Sequence, residues 1–74
     1  MQMYPVESSN VEAIGYDISE SLLRVQFKSG TYEYRAVPWA TAFELALAPS
    51  KGKFLVRRIK GVYESEKIEI GGEA

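Results

Sequence analysis

Two short runs, LLRVQF at residues 22–27 and YEYRAV at residues 32–37, alternate apolar and polar side chains across a Ser29-Gly30 break. Alternation with a period of two marks strands that bury one face. A Ser-Gly pair between such runs predicts a hairpin with a two-residue loop. Phe27 then opposes Tyr32, Val25 opposes Tyr34, and Leu23 opposes Ala36. All six fall on one face, which is the condition that pins register. Arg24, Gln26, Lys28, Thr31, Glu33 and Arg35 fall on the other. This register sets Arg24 across from Arg35, a like-charge pair that costs stability, with Glu33 on the diagonal to relieve it.

Elements on both sides extend the pattern. Residues 11–16 carry β-branched and aromatic side chains, Val11, Ile14 and Tyr16, and run into a turn at 17–21, which predicts a strand ahead of the hairpin. Pro38 suits a helix start, and Trp39, Ala42, Phe43, Ala46 and Leu47 recur at three- and four-residue spacing. That stripe is expected to face the core, with Trp39 as an anchor and Thr41 and Glu44 outside. Pro49 stops the helix near Ala48. Ser50 can cap a second helix, with Phe54, Leu55, Ile59 and Val62 buried and Gly61 ending it. Gly52 weakens its start. Ile68 and Ile70 alternate with Lys67 and Glu69, a faint fourth-strand signal. The expected fold is α+β: a three-stranded antiparallel meander, with this short C-terminal addition, packed by two short helices. One domain over residues 1–70 and a flexible tail over 71–74 complete the organisation.

A chain of 74 residues has one small core, and with no cysteine and no histidine it has no disulfide or ordinary zinc site to staple it. Hydrophobic residues at 46% and charged residues at 26% are globular rather than disordered proportions, so packing alone must supply stability. The same absences remove the common nucleophile–base pairs, and no glycine pattern matches a nucleotide loop. Asp17, Glu20, Glu64, Glu66 and Glu69 make no metal-ligand spacing. Neither an enzyme nor a cofactor is expected. No run approaches a signal peptide or the ~20 apolar residues of a membrane span, so the expected location is cytoplasmic.

What stands out is segregated charge. The formal net charge is −1, yet five of nine basic residues, Lys51, Lys53, Arg57, Arg58 and Lys60, lie within ten positions, with no acid between Glu44 and Glu64. A local positive patch attracts phosphate without making the whole surface adhesive. Spacing alone does not separate such a patch from the wet face of an amphipathic helix. Lys51 and Lys53 sit where a helix macrodipole disfavours cations by about 0.3–1 kcal/mol each, which favours a use for them. Tyr32 and Tyr34 can stack bases, but the hairpin register assigns their rings to the core with hydroxyls at its edge. Arg35, on the other face, is better placed for a ligand.

Taken together, VESSNVEAIGYD, LLRVQFKSGTYEYRAVP and APSKGKFLVRRIKGVY resemble the KTSC domain, over residues 6–63. The domain is named for its place at the C-terminus of some lysyl-tRNA synthetases and also occurs as a small stand-alone protein. Tyr32-Glu33-Tyr34 matches its Tyr-x-Tyr signature. The resemblance implies a small module for which RNA binding has been suggested. Val56 departs from it, because asparagine is frequent there, and so does the acidic Glu64-Ser65-Glu66.

These readings lead to a non-enzymatic module that binds nucleic acid, RNA ahead of DNA. Lys51, Lys53, Arg57, Arg58 and Lys60 would meet phosphates, with Arg35 assisting and Tyr34 at the edge. Two alternatives use different chemistry. One is a protein-interaction or self-assembly module with apolar surface near Leu22, Leu45 or Ile68 and Ile70. The other is a binder of small phosphate-bearing ligands.

Overall fold

The computed structural model describes residues 1–69. Its strands are β1 (Tyr4–Pro5), β2 (Val11–Asp17), β3 (Leu22–Phe27), β4 (Gly30–Tyr34) and β5 (Ser65–Ile68). Helices α1 (Trp39–Leu47) and α2 (Lys51–Phe54) lie between β4 and β5, and α2 runs directly into a π-helical turn at Leu55–Ile59. All strand pairs are antiparallel in the order β1-β2-β3-β4-β5. The architecture is α+β, and the sheet is larger than expected. The C-terminal signal is a true strand, although Ile70 and the 71–74 tail lie outside the described residues. The strand missing from the sequence reading is β1. It has two residues, one of them a proline, which cannot donate to a ladder and so suits an edge.

The hairpin register also differs from expectation. Phe27 pairs with Gly30, Val25 with Tyr32 and Leu23 with Tyr34, so the loop is Lys28-Ser29. Gly30 opens β4 at φ 153°, a backbone state that side chains disfavour, with Lys67 packed where its Cβ would be. A slip of two positions keeps every side chain on its face, which is why alternation could not detect it. It also removes the like-charge pair. Arg24 now opposes Glu33, and its Nε and Nη2 both donate to Glu33 Oε2, at 2.9 and 2.5 Å. β4 ends at Tyr34 rather than Val37. Ala36 turns the chain at φ 57°, and Val37 is then fully buried, held by Val37 N–H to Ser21 O and Tyr16 Oη–H to Val37 O.

A bulge in β2 sets the rest of the sheet face. Val11 opposes Phe27 and Ala13 opposes Gln26, leaving Glu12 as the extra residue. Val11 and Ile14 therefore both reach the core despite their odd spacing, and Ala13 and Gly15 turn to the reverse face. That reverse face is buried at Gly15 because the N-terminal segment crosses it. A Cβ there would lie 2.7 Å from Gln2 O and 2.6 Å from Met3 Sδ.

The core joins Val11, Ile14, Leu23, Val25, Tyr34 and Val37 to Ala42, Leu45, Leu55 and Ile59. Here α1 departs from the expected stripe. Ala42 and Leu45 face inward, whereas Trp39 is 58%, Phe43 53% and Leu47 68% exposed. The helix is apolar almost all round, so periodicity offers two faces, and buried Val37 just ahead of it selects the one with small Ala42. Leu45, expected at the surface, is fully buried; Val62, expected in the core, is exposed. Ser50 caps α2 as anticipated, accepting from Lys53 N–H at 3.3 Å, and Gly61 at φ 77° follows the helix end. Among the described residues no helix is long and apolar enough to cross a membrane.

Two glycine-to-alanine changes are expected to have opposite signs. Gly15→Ala forces the N-terminal backbone to shift and should cost about 1–3 kcal/mol. Gly52→Ala meets open space within a helix and should add about 0.5–1 kcal/mol. Urea unfolding of both variants beside the parent measures the two shifts.

Candidate nucleic-acid interface

The basic cluster divides once folded. Lys51 is half-buried, and its Nζ donates to Ala48 O at 2.6 Å. It therefore serves the C-terminal end of α1, where carbonyls lack partners and a cation is favoured. That resolves the cost expected of a lysine opening α2. Arg58 pairs with Glu44 at 2.9 Å and lies over the Phe54 ring, 5.0 Å from its centroid. Arg35 pairs with Glu66 at 2.6 Å. Both pairs are exposed, so each contributes ~0–1 kcal/mol and weakens with salt.

Lys53, Arg57 and Lys60 are exposed, and among the described residues none has a carboxylate partner. Lys60 sits just past the π-helical turn, its N–H donating to Leu55 O at 2.7 Å in the i to i+5 pattern. Its Nζ lies 4.8 Å from the centroid of the Phe27 ring, a cation–π contact that holds it beside the sheet. The ammonium of Lys60 is thus the one in the cluster that helix and sheet jointly position.

Beside Lys60 opens a cleft of about 520 Å³ between the hairpin end of the sheet and the α2–π segment. Phe27, Tyr32 and Tyr34 form its sheet side, and Gly52, Leu55, Val56 and Gly61 its helix side. Asn10, Lys28, Ser29 and Ser65 add polar groups, and no carboxylate lines it. Gly52 and Val56 line it from the helical segment, and Lys60 follows where the chain leaves that segment. Val56, where the resemblance expects asparagine, belongs to that side. Backbone hydrogen bonding from Lys28 N–H to Asn10 O, at 3.0 Å, joins the loop to the start of β2.

Tyr34 belongs to core and cleft at once. It is only 3% exposed, as its face predicts, and among the described residues its hydroxyl has no hydrogen-bond partner. Burial, with the neighbouring Tyr32 as a lesser cause, pushes its pKa above the ordinary tyrosine value. Tyr32 is half-buried and meets Phe27 edge to face, with centroids 5.9 Å apart.

With this geometry in view, the sequence profile of the KTSC domain matches residues 7–63. The chain belongs to the KTSC domain family. A KTSC domain protein from Yersinia pestis has the same fold, with a TM-score of 0.90 and 40% identity over 92% of this chain and 97% of that one. A protein of Tsukamurella paurometabola is 46% identical over 54 residues, 72% of this chain and 81% of its own length. A lysine–tRNA ligase of Nostoc is 38% identical over 63 residues, 84% of this chain but 11% of the ligase. The KTSC unit is thus a small part of that ligase.

Sequence reasoning singled out Lys53, Arg57 and Lys60 and passed over Lys28, Asn10 and Ser65, which reach the cleft from separate elements. Gly52 carried a usable signal, a glycine inside a helix where no positive φ requires one. For Tyr34 the raised pKa fixes a sign. Its protonated form is favoured by folding, so that stability is complete below about pH 10 and is lost as pH rises through the higher folded value. Tyr34→Phe should flatten this alkaline fall in urea-unfolding stability measured between about pH 9 and about pH 11.

Proposed function

We propose that this KTSC protein is a non-enzymatic, cytoplasmic module that binds single-stranded nucleic acid, RNA ahead of DNA. The observation that carries the reading is the set of three exposed cations without carboxylate partners, Lys53, Arg57 and Lys60, the last beside an aromatic-floored cleft. Cations meeting phosphates release counterions, and aromatic faces accept unstacked bases of any sequence. The occurrence of a related segment within lysine–tRNA ligases supports RNA. Arg58 and Arg35 are secondary, because each would first leave a glutamate. Lys51 stays with α1.

A second reading, self-assembly, has its own observation. Trp39, Phe43 and Leu47 form an exposed apolar stripe on α1, with the Trp39 and Phe43 rings 5.7 Å apart. A second copy laid on that stripe would bury it. Sedimentation that is monomeric at every concentration removes this reading.

For the first reading, anisotropy with a short single-stranded RNA should show affinity falling with salt at a log–log slope of about −2, for three phosphate contacts. The double variant Lys53→Gln, Arg57→Gln should bring the slope near −0.7 and weaken binding at low salt. Affinity that ignores both salt and these substitutions overturns the proposal.

A further inference from the structure

The cleft differs from a solvated groove in four respects. Its volume, about 520 Å³, lies within the range of about 300–1,000 Å³ typical of small-molecule sites. Two lysines, Lys28 and Lys60, line it with no carboxylate to answer them, so the site favours an anion. Aromatic rings from β3 and β4 form one side, opposite a helix wall thinned by Gly52, where an added Cβ would meet nothing within 4 Å. Finally, Tyr34 is more than nine-tenths buried, lines the cleft, and among the described residues its hydroxyl has no protein partner. Buried hydroxyls are normally satisfied by protein or water, so this one offers a donor and an acceptor to whatever fills the cleft.

From these we infer that the cleft receives one unpaired nucleotide unit, its base against the half-buried Tyr32 with an edge toward the Tyr34 hydroxyl, and its phosphate between Lys60 and Lys28. A base is planar and carries donors and acceptors on its edge, which suits both the aromatic side and the free phenol. The phosphate answers the two cations, to which the Ser29 hydroxyl in the hairpin loop adds a donor, while Ser65, paired with Tyr34 at the other end of β4, lines the far part of the cleft. A duplex has no unstacked base to offer, so the site selects single strands or strand ends. This inference rests on the single-strand reading above and assigns it a pocket: Lys53 and Arg57 contact the flanking backbone, while the cleft holds one base.

Backbone amide chemical-shift mapping with adenosine monophosphate, uridine monophosphate and inorganic phosphate tests it. Either nucleotide should shift Ser29, Tyr32, Tyr34, Gly52, Lys60 and Gly61, whereas inorganic phosphate should reach only the surroundings of Lys28 and Lys60. Gly52→Leu, which projects into the open cleft, should weaken nucleotide binding at least tenfold while leaving the fold's dispersed spectrum intact. Val56→Trp narrows the same wall from an exposed position and should act alike, should Gly52→Leu disturb folding. Nucleotide affinity unchanged in both variants, or shifts located elsewhere, overturns the pocket. The two readings fail separately. RNA binding that persists in both variants, with no mononucleotide binding, removes the cleft and keeps the basic face. Mononucleotide binding blocked by Gly52→Leu, with no binding of longer RNA, keeps the cleft and removes the single-strand reading.

Discussion

A five-stranded sheet with one apolar face has to be covered, and this chain covers it with two short helices. Among the described residues, Ala42, Leu45, Leu55 and Ile59 are the buried ones that come from the helical side into the core, with Phe54 packed partly buried against them. Leu45, Leu55 and Ile59 have no exposure left, so that cover is used completely where it exists. Beyond it, at the hairpin end, the sheet face continues as Phe27 and Tyr32, which are half-buried, and there the cleft begins. No disulfide or zinc site compensates for the short cover. Aromatic side chains suit such a margin, because their rings pack while their edges remain open to polar partners.

The charges follow the same division. Arg24 and Glu33 lock β3 to β4 from the reverse face, and Arg35 with Glu66 ties the end of β4 to β5. Arg58 and Glu44 connect the π-helical turn with α1, and Lys51 joins α2 to the last carbonyls of α1. Each of these contacts links two different elements of the fold. Lys53, Arg57 and Lys60 link nothing by ion pairing among the described residues, and they occupy the segment that borders the cleft. In a chain of net charge −1, unpaired cations gathered at one margin create a local field that the rest of the surface does not dilute.

Much of this was legible because periodicity reports faces well. The inward face of β3, the cap at Ser50, the glycine after the second helix and the faint strand at Ile68 all follow from local rules. Three features escaped for identifiable reasons. A hairpin slipped by two positions leaves every face unchanged, so only the opposite-charge pairing of Arg24 with Glu33 distinguishes the registers, and the expected loop hid it. The side of α1 that turns inward depends on Val37, whose burial is set by long-range bonds to Ser21 and Tyr16. The bulge at Glu12 changes which β2 residues share a face, which strict alternation cannot anticipate. At the site, the helical cations were visible in sequence, but the cleft was not. Its lining draws on the start of β2, the hairpin, α2, the π-helical turn and β5, and only folding brings those together.

The π-helical turn connects the core to the proposed interface. Leu55 and Ile59 must both be fully buried to cover the sheet, and Lys60 must emerge immediately after Ile59. Widening the last turn to an i to i+5 bond, from Lys60 N–H to Leu55 O, satisfies the backbone while the chain leaves the helix there. Lys60 then takes an extended conformation and its ammonium reaches Phe27, across the cleft mouth. A regular helix carried one turn further would direct Lys60 by its own periodicity, with no reason to meet the hairpin. The same departure from regularity that completes the core therefore sets a cation against the sheet's aromatic margin. Core packing and the placement of this cation are therefore joined at one turn of the chain.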